Sequence, residues 1–393
     1  MTVRFHRVLL LVLGALSLLV APHRSDVLVV MEDGLGPGYN TIQQAVDAAS
    51  SGDTILVHLP YASFAHQEDV TIDGKSLEIV AEPGAPLIVL GKLRILNLAA
   101  DQWVRVQGME FGVQEVALEV RDCLGVVWID DCEFVRTVEV FDSSAVVLTR
   151  TAAEVAEKDG LLVVRSTVYA LDSKLGGPSL SGTSPDPSSG ARVEEASLYA
   201  QRGSIQGHWG ESGAFPCGPG GDGGIGLEVL GNESAVRLLE AVPQGGPGGQ
   251  GGGGGCGPSG MPGADIVAPA GVVQTYPGTG YSLSCDSPLR EGEVLTLTGE
   301  GPSGDLLFLA YSSTPAAVLV EPYKGAILGA FTIAPLSMGA IGGDGSVSLS
   351  TTVAELGPGV ESRSLYCQVV GISPSGGVTL GAGVPVTLLD DSF

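Results

Sequence analysis

Positive charge is what this chain most lacks. Its 19 Lys and Arg stand against 44 Asp and Glu, a net charge of −25, and charged residues of both signs make up only 16% of the sequence. Such a surface argues against nucleic acid as a partner, because phosphates are held by Lys and Arg. It argues against anionic membrane surfaces for the same reason. Aromatic residues are also sparse, at 5%. No C-x-x-C pair occurs, which makes a zinc site a poor reading. After the first residues no apolar run reaches the length of a membrane span. What is abundant is glycine, 59 residues of it, in a chain that is 44% hydrophobic. Little charge with much Gly and Val suits β-structure broken by turns rather than helical bundles. The 393 residues leave room for two domains. The acidity itself reads as solubility outside the cell, with calcium loading as the specific alternative.

Residues 1–25 read as a secretory leader. Arg4, His6 and Arg7 form a basic start, Val8 to Val20 an apolar run, and Leu19-Val20-Ala21 a weak cleavage site. Retention of this segment as an anchor is the alternative to cleavage. Export implies a secreted or cell-surface protein, and it makes the cysteines interpretable as disulfide partners.

From Thr41 to Val57 the pattern is a short amphipathic helix, a glycine stop and a buried strand. Ile42, Ala45, Val46 and Ala49 fall at i, i+3, i+4 and i+7, one apolar stripe. Thr41 and Gln44 fit a capping box, and Gly52 suits the left-handed residue that ends a helix. Thr54-Ile55-Leu56-Val57 follows as a strand. The whole phrase resembles the entry to right-handed parallel β-helices of the pectin-lyase-like superfamily, whose chains often begin in this way. The resemblance implies an all-β solenoid with an N-terminal capping helix.

A loose repeat supports that architecture. Val104-Arg105-Val106, Val127-Trp128-Ile129 and Val147-Leu148-Thr149 read as equivalent strand triplets, as do Leu118-Glu119-Val120 and Val138-Glu139-Val140. Spacings of roughly 20–24 residues match one solenoid coil. Each coil leaves its apolar face open, so stacking makes one continuous core. From about 203 to 265 the pattern dilutes into glycine, read as coils carrying long glycine-rich turns. An unordered projection is the alternative for 245–263, and collagen is set aside because glycine keeps no strict third-residue period. The solenoid is expected over 26–281. After that, alternating runs such as Glu293 to Thr298, Ser346 to Thr352 and Ser364 to Val370 predict a β-sandwich over 282–393. Its closing phrase, Leu365 to Val370 through Leu388, resembles an immunoglobulin-like module of exported bacterial proteins, although no Trp lies between Cys285 and Cys367.

Six cysteines allow fifteen pairings. Placement suggests neighbours: Cys123 with Cys132, Cys217 with Cys256, and Cys285 with Cys367. The second pair flanks the glycine-rich excursion, where closing a long loop helps most. Cys123 and Cys132 also suit plain buried thiols.

Pectin-lyase-like proteins often act on acidic polysaccharides, with functional groups projecting from one sheet. An outward row of Arg105, Trp128 and Leu148, continued by Tyr169, offers rings that stack on sugars and a guanidinium for a uronate. Arg121 and Arg165 are positioned to flank an acidic sugar or to balance nearby carboxylates. Asp122, Asp130, Asp131 and Glu133 cluster, with Glu139 and Asp142 one coil later. Stacked Asp122 and Asp142 would repel unless a cation or a proton lies between them, so calcium is the one cofactor considered; the plain alternative is turn residues bonding backbone. Gly207-His208-Trp209-Gly210 resembles a polygalacturonase turn only in outline, and Thr137 to Val147 a pectin methylesterase strand. Their companion motifs are missing, so no catalytic residue is carried over. The expected function is an exported, non-catalytic scaffold recognising extracellular polysaccharide or a cell-surface protein, as a monomer. A lyase or esterase acting on acidic glycans is the alternative, and a structural stalk or adhesin the third.

Overall fold

The computed structural model describes residues 25–31, 38–58, 65–83, 87–112, 116–154, 158–177, 188–214, 217–252, 256–321, 323–331 and 334–393. The expected leader lies outside them apart from Ser25. Strands 4–5 residues long recur along the chain because short Val/Ile/Leu runs alternate with turn residues. They stack in parallel into a β-helix with three faces. The first face holds Val27–Val30, Thr54–Val57, Leu77–Ala81, Trp103–Gln107, Val126–Asp130, Ala145–Thr149, Thr167–Leu171, the leading halves of Ser197–Gln206 and Ala235–Gln244, and Val273–Tyr276. The second holds Ala65–His66, Leu87–Val89, Met109–Phe111, Glu133–Phe134, Ala152–Ala153, Lys174–Gly176 and the trailing halves of the two long strands. The third holds Val70–Asp73, Leu93–Leu96, Val116–Arg121, Thr137–Phe141, Leu161–Val164, Ala191–Glu194, Leu227–Leu230 and Ile266–Val267. Inward residues of all three faces merge into one continuous core.

Register follows the expected triplets with one slip. Trp128 pairs with Arg105, and Glu119 with Glu139. Trp128 then pairs with Val147, so Val147 points outward and Leu148 into the core, the reverse of the expected row. The run Ala145–Leu148 is apolar throughout and hides the alternation that sets register. Corners between faces are made by polar residues in the left-handed region. Asn97, Asp122, Asp142, Arg165 and Glu195 close the third face at φ 45–56°, and Asp131, Arg150 and Asp172 close the first at 51–52°.

The helix Ile42–Ala48 seals the first coil with Ile42, Ala45 and Val46. Thr41 accepts from the Gln44 N–H as a cap should. The remaining free N–H groups of Ile42 and Gln43 go to the Glu68 carboxylate, at 2.7 and 2.8 Å. The helix ends at Ala49, and Gly52, with φ 101°, turns the chain into the next strand rather than stopping the helix itself.

The described residues of the glycine-rich excursion hydrogen-bond to one another throughout. Two hairpins leave successive coils, 207–226 and 245–263. Within each arm glycine does keep a third-residue spacing, broken only at the turns: Gly207, Gly210 and Gly213 donate to Gln244, Pro247 and Gln250, while Gly246, Gly249 and Gly252 donate to Gly224, Gly221 and Gly218. Gly220, Gly223 and Gly226 donate to Pro258, Met261 and Ala264. A hydrogen-bond period of three is that of the polyproline II helix, so the arms form a packed bundle. Side chains are excluded from its interior: a Cβ on Gly249 would lie 1.7 Å from the Glu211 carbonyl oxygen. The Cys217–Cys256 disulfide joins the turns of the two hairpins. Cys123, Cys132, Cys285 and Cys367 are free thiols, so the other two expected bridges are not formed. Cys123 and Cys132 sit at different corners, their Sγ atoms donating to Ile95 and Val106 carbonyls of the coil below.

His208 lies buried in this bundle, and its Nε2 has no hydrogen-bond partner among the described residues. Burial lowers its pKa from 6.5 to about 4. The unfolded chain therefore takes up a proton that the folded bundle refuses, and stability should fall as pH drops from 6.5 towards 4. Amide hydrogen exchange across the bundle at pH 7 and pH 5 checks this, with His208→Gln expected to flatten the difference.

Described strands from Ser282 onward pair into two facing sheets that are antiparallel except where Leu289–Arg290 runs parallel to Leu388–Leu389. Ser282–Ser284, Val294–Glu300 and Ser346–Thr352 make one sheet, and Leu289–Arg290, Leu306–Ser312, Leu336–Ala340, Ser362–Ile372 and Val378–Leu389 the other. Leu283, Leu295, Leu297, Leu307, Val369, Val384 and Val386 fill the space between them.

Candidate ligand-binding face

The expected ligand row does run along one outward line of the first face. Glu78, Arg105, Trp128, Val147, Tyr169 and Tyr199 are successive register partners. It is not open to a ligand, because the sandwich is seated on it. Trp128, Val147, Tyr169 and Tyr199 pack with Ala326, Leu328, Tyr366 and Ala382 in one buried cluster. Trp128 lies 5.3 Å from Tyr366 between ring centroids and donates to Thr149 Oγ1 at 2.8 Å. The Tyr169 hydroxyl donates to the Ala317 carbonyl at 3.3 Å. Arg105 is 0% exposed and bridges Glu78 at 3.3 Å, while donating to Thr387 Oγ1 at 2.6 Å and the Pro385 carbonyl at 2.9 Å. Ser364 also donates to Glu78. Sugar-binding chemistry and domain docking ask for the same side chains, rings and a guanidinium, and here docking takes them.

The Asp122–Asp142 stack exists in register, since Arg121 pairs with Phe141 just before it. Both residues are left-handed corner residues. Arg165, at the same corner of the next coil, donates to both carboxylate oxygens of Asp142 at 2.7 Å. Its hydrogen bonds hold the Asp142 carboxyl below the usual range. A guanidinium thus supplies a countercharge to this corner carboxylate. Asp130 belongs to a different cluster, ion-paired with Arg150 at 2.6 Å beneath the sandwich. Among the described residues, the group of three carboxylates close enough to share an ion is Glu291, Asp390 and Asp391, Glu291 coming from about 100 residues before the adjacent pair.

The third face carries a different arrangement, with its outward residues half-buried rather than covered. Arg94, Glu119 and Glu139 form one outward line, and Leu96, Arg121 and Phe141 the next. Three cations converge on one carboxylate: Lys92 at 2.6 Å, Arg121 at 3.1 Å and Arg94 at 3.7 Å from Glu119 oxygens. The Arg121 guanidinium also lies 4.4 Å above the Phe141 ring, a cation–π contact. Burial works to raise the Glu119 pKa, but hydrogen bonds from Lys92 and Arg121 outweigh it and hold the carboxyl below its usual range. Burial pushes the neighbouring Glu139 up, with Lys158 and Lys92 only partly offsetting it. So an anionic and a more readily protonated carboxylate sit side by side, rimmed by cations, in a chain where cations are scarce. The sequence reading singled out Arg121 but missed Lys92 and Arg94. The signal available was the register of Arg94 with Glu119, one coil earlier than the triplets compared.

No family model and no curated protein sequence matches the chain. Among solved structures, a superoxide reductase (neelaredoxin) from Ignicoccus hospitalis is 10% identical over 28% of this chain and 80% of its own, with a TM-score of 0.16. ORF18 of Geobacillus virus E2 is 12% identical over 83% of this chain and 76% of its own, with a TM-score of 0.24. Neither likeness carries an argument about this protein.

Proposed function

We propose that the protein is an exported recognition scaffold and that its third face takes an extended, anionic carbohydrate, with Lys92, Arg94 and Arg121 holding an acidic group. The observation that supports this is the convergence of three cations on the single carboxylate Glu119. A guanidinium carries five N–H donors, so Arg94 and Arg121 keep capacity for a further carboxylate. Rungs about 4.8 Å apart repeat at close to the length of one sugar unit, which suits a chain lying along the solenoid axis. The half-exposed Leu96, Phe141 and Leu162 supply apolar ground between the charges. Export agrees with the basic and apolar start of the chain and with its disulfide. Among the described residues no helix is long and apolar enough to cross a membrane.

The test is binding of polygalacturonate, and of a neutral glucan as control, by calorimetry. Losing charge-assisted hydrogen bonds of about 1.5–3 kcal/mol should weaken binding of the acidic chain by tenfold or more in Arg94→Ala/Arg121→Ala. Unchanged binding in that variant removes the third face from consideration. The Glu119–Glu139 pair favours a second reading, an enzyme acting on such a chain, because neighbouring carboxylates with opposed pKa shifts suit acid–base work. New reducing or unsaturated ends that vanish in Glu139→Gln would establish it. Neither binding nor turnover would leave the structural stalk.

A further inference from the structure

The two ends of the solenoid are finished differently. The first end is sealed by the helix Ile42–Ala48. At the other, the last hairpin arm and the coil that follows it cover residues 256–276, and among the described residues no strand pairs beyond them. Ile266–Val267 pairs with Leu227–Leu230 on one side only, and Val273–Tyr276 with Ala235–Gln244 on one side only. The outer edge of both strands therefore presents unpaired N–H and C=O groups, the feature that templates pairing with another chain. The side chains there are apolar and open: Met261 is 69% exposed, Ile266 41% and Val267 42%. Val272 and Val273 pack against the solenoid core yet remain partly uncovered, so the core runs out to the end of the stack.

Charge says what covers this end. From Cys256 to Tyr276 the only charged residue is Asp265, in a chain carrying 63 charged residues, the sum of 19 basic and 44 acidic. Asp265 accepts the Gly245 N–H at 2.9 Å. The charged neighbours are engaged as well: Asp222 accepts the Met261 N–H at 2.7 Å, Glu240 accepts the Gly280 N–H at 2.9 Å, Arg237 pairs with Glu321 at 3.2 Å, and Lys324 donates to the Pro277 carbonyl. A net charge of −25 repels a second copy over most of the surface. At the last coil that repulsion is absent.

We propose that this end is a homodimer interface, in which two copies abut last coil to last coil about a two-fold axis. A two-fold perpendicular to Ile266–Val267 places that edge against itself in antiparallel sense, so its free N–H groups meet free C=O groups of the other copy. Met261, Ile266 and Val267 of each copy bury against those of the other. The proposal differs from the monomer expected from the sequence, and it does not depend on what the third face binds.

The test is sedimentation equilibrium of the purified protein over a wide concentration range, at low and at moderate salt. A monomer–dimer equilibrium is expected. Ile266→Lys/Val267→Lys should raise the dimer dissociation constant by roughly a hundredfold or more, because like charges then face each other across the axis. Val294→Lys, on an exposed sandwich position, should leave it unchanged. Unaltered circular dichroism and melting show that the variants fold, and Met261→Glu serves as an independent probe should the double variant not. A monomer at every concentration overturns the proposal. So does a dimer that survives both the lysine pair and Met261→Glu, or a wild-type species that grows beyond a dimer.

Discussion

Replacing Arg105 by methionine should destabilise the protein by about 3–5 kcal/mol, the usual cost of stripping one partner from a buried ion pair. The loss is large because of what remains. Glu78 is 1% exposed and would be left buried without its guanidinium partner, while Thr387 Oγ1 and the Pro385 carbonyl would lose their donor. Those partners lie on the last long strand of the sandwich, so the damage should fall on the seating of the sandwich against the solenoid. Urea unfolding followed by circular dichroism gives the magnitude, and limited proteolysis between the domains gives the place. Removing both charges with Arg105→Met/Glu78→Leu should recover most of the loss, since a buried pair replaced by apolar groups of similar volume is often neutral. A loss below about 1 kcal/mol in the single variant would mean that water reaches Glu78, as for an exposed pair.

Trp128→Ala should cost about 3–5 kcal/mol as well, by a different route. Trp128 is 1% exposed and fills the centre of the interface between the first face and Tyr366. Truncation opens a cavity there and leaves Thr149 Oγ1 without its indole donor at 2.8 Å. Trp128→Phe keeps most of the ring contact and should cost less than half as much. Because neither residue is offered to a ligand, glycan binding by the folded variants should match the wild type, which calorimetry checks. Weakened binding in a fully folded Trp128→Phe variant would reopen the first face as a ligand site.

Much of the architecture could be read locally. Thr41 caps its helix and Ile42, Ala45 and Val46 seal the core as their spacing predicts. Strand alternation placed Arg105 and Trp128 on the outside of their sheet and stacked Asp122 over Asp142. Loop-closure reasoning paired Cys217 with Cys256. Each of these depends on residues within a turn, a strand or one excursion, where covalent geometry sets the answer. What these local patterns did not carry is a partner that comes from far along the chain. Glu68 caps the helix from 26 residues away. Arg165 reaches Asp142 across a coil boundary, 23 residues away. Thr387 meets Arg105 across 282 residues. Period-two alternation states which side of its own sheet a side chain leaves. It carries no information on what lies against that side. The docking of the sandwich alone decided that the aromatic row of the first face is buried and that the cations around Glu119 on the third face are not.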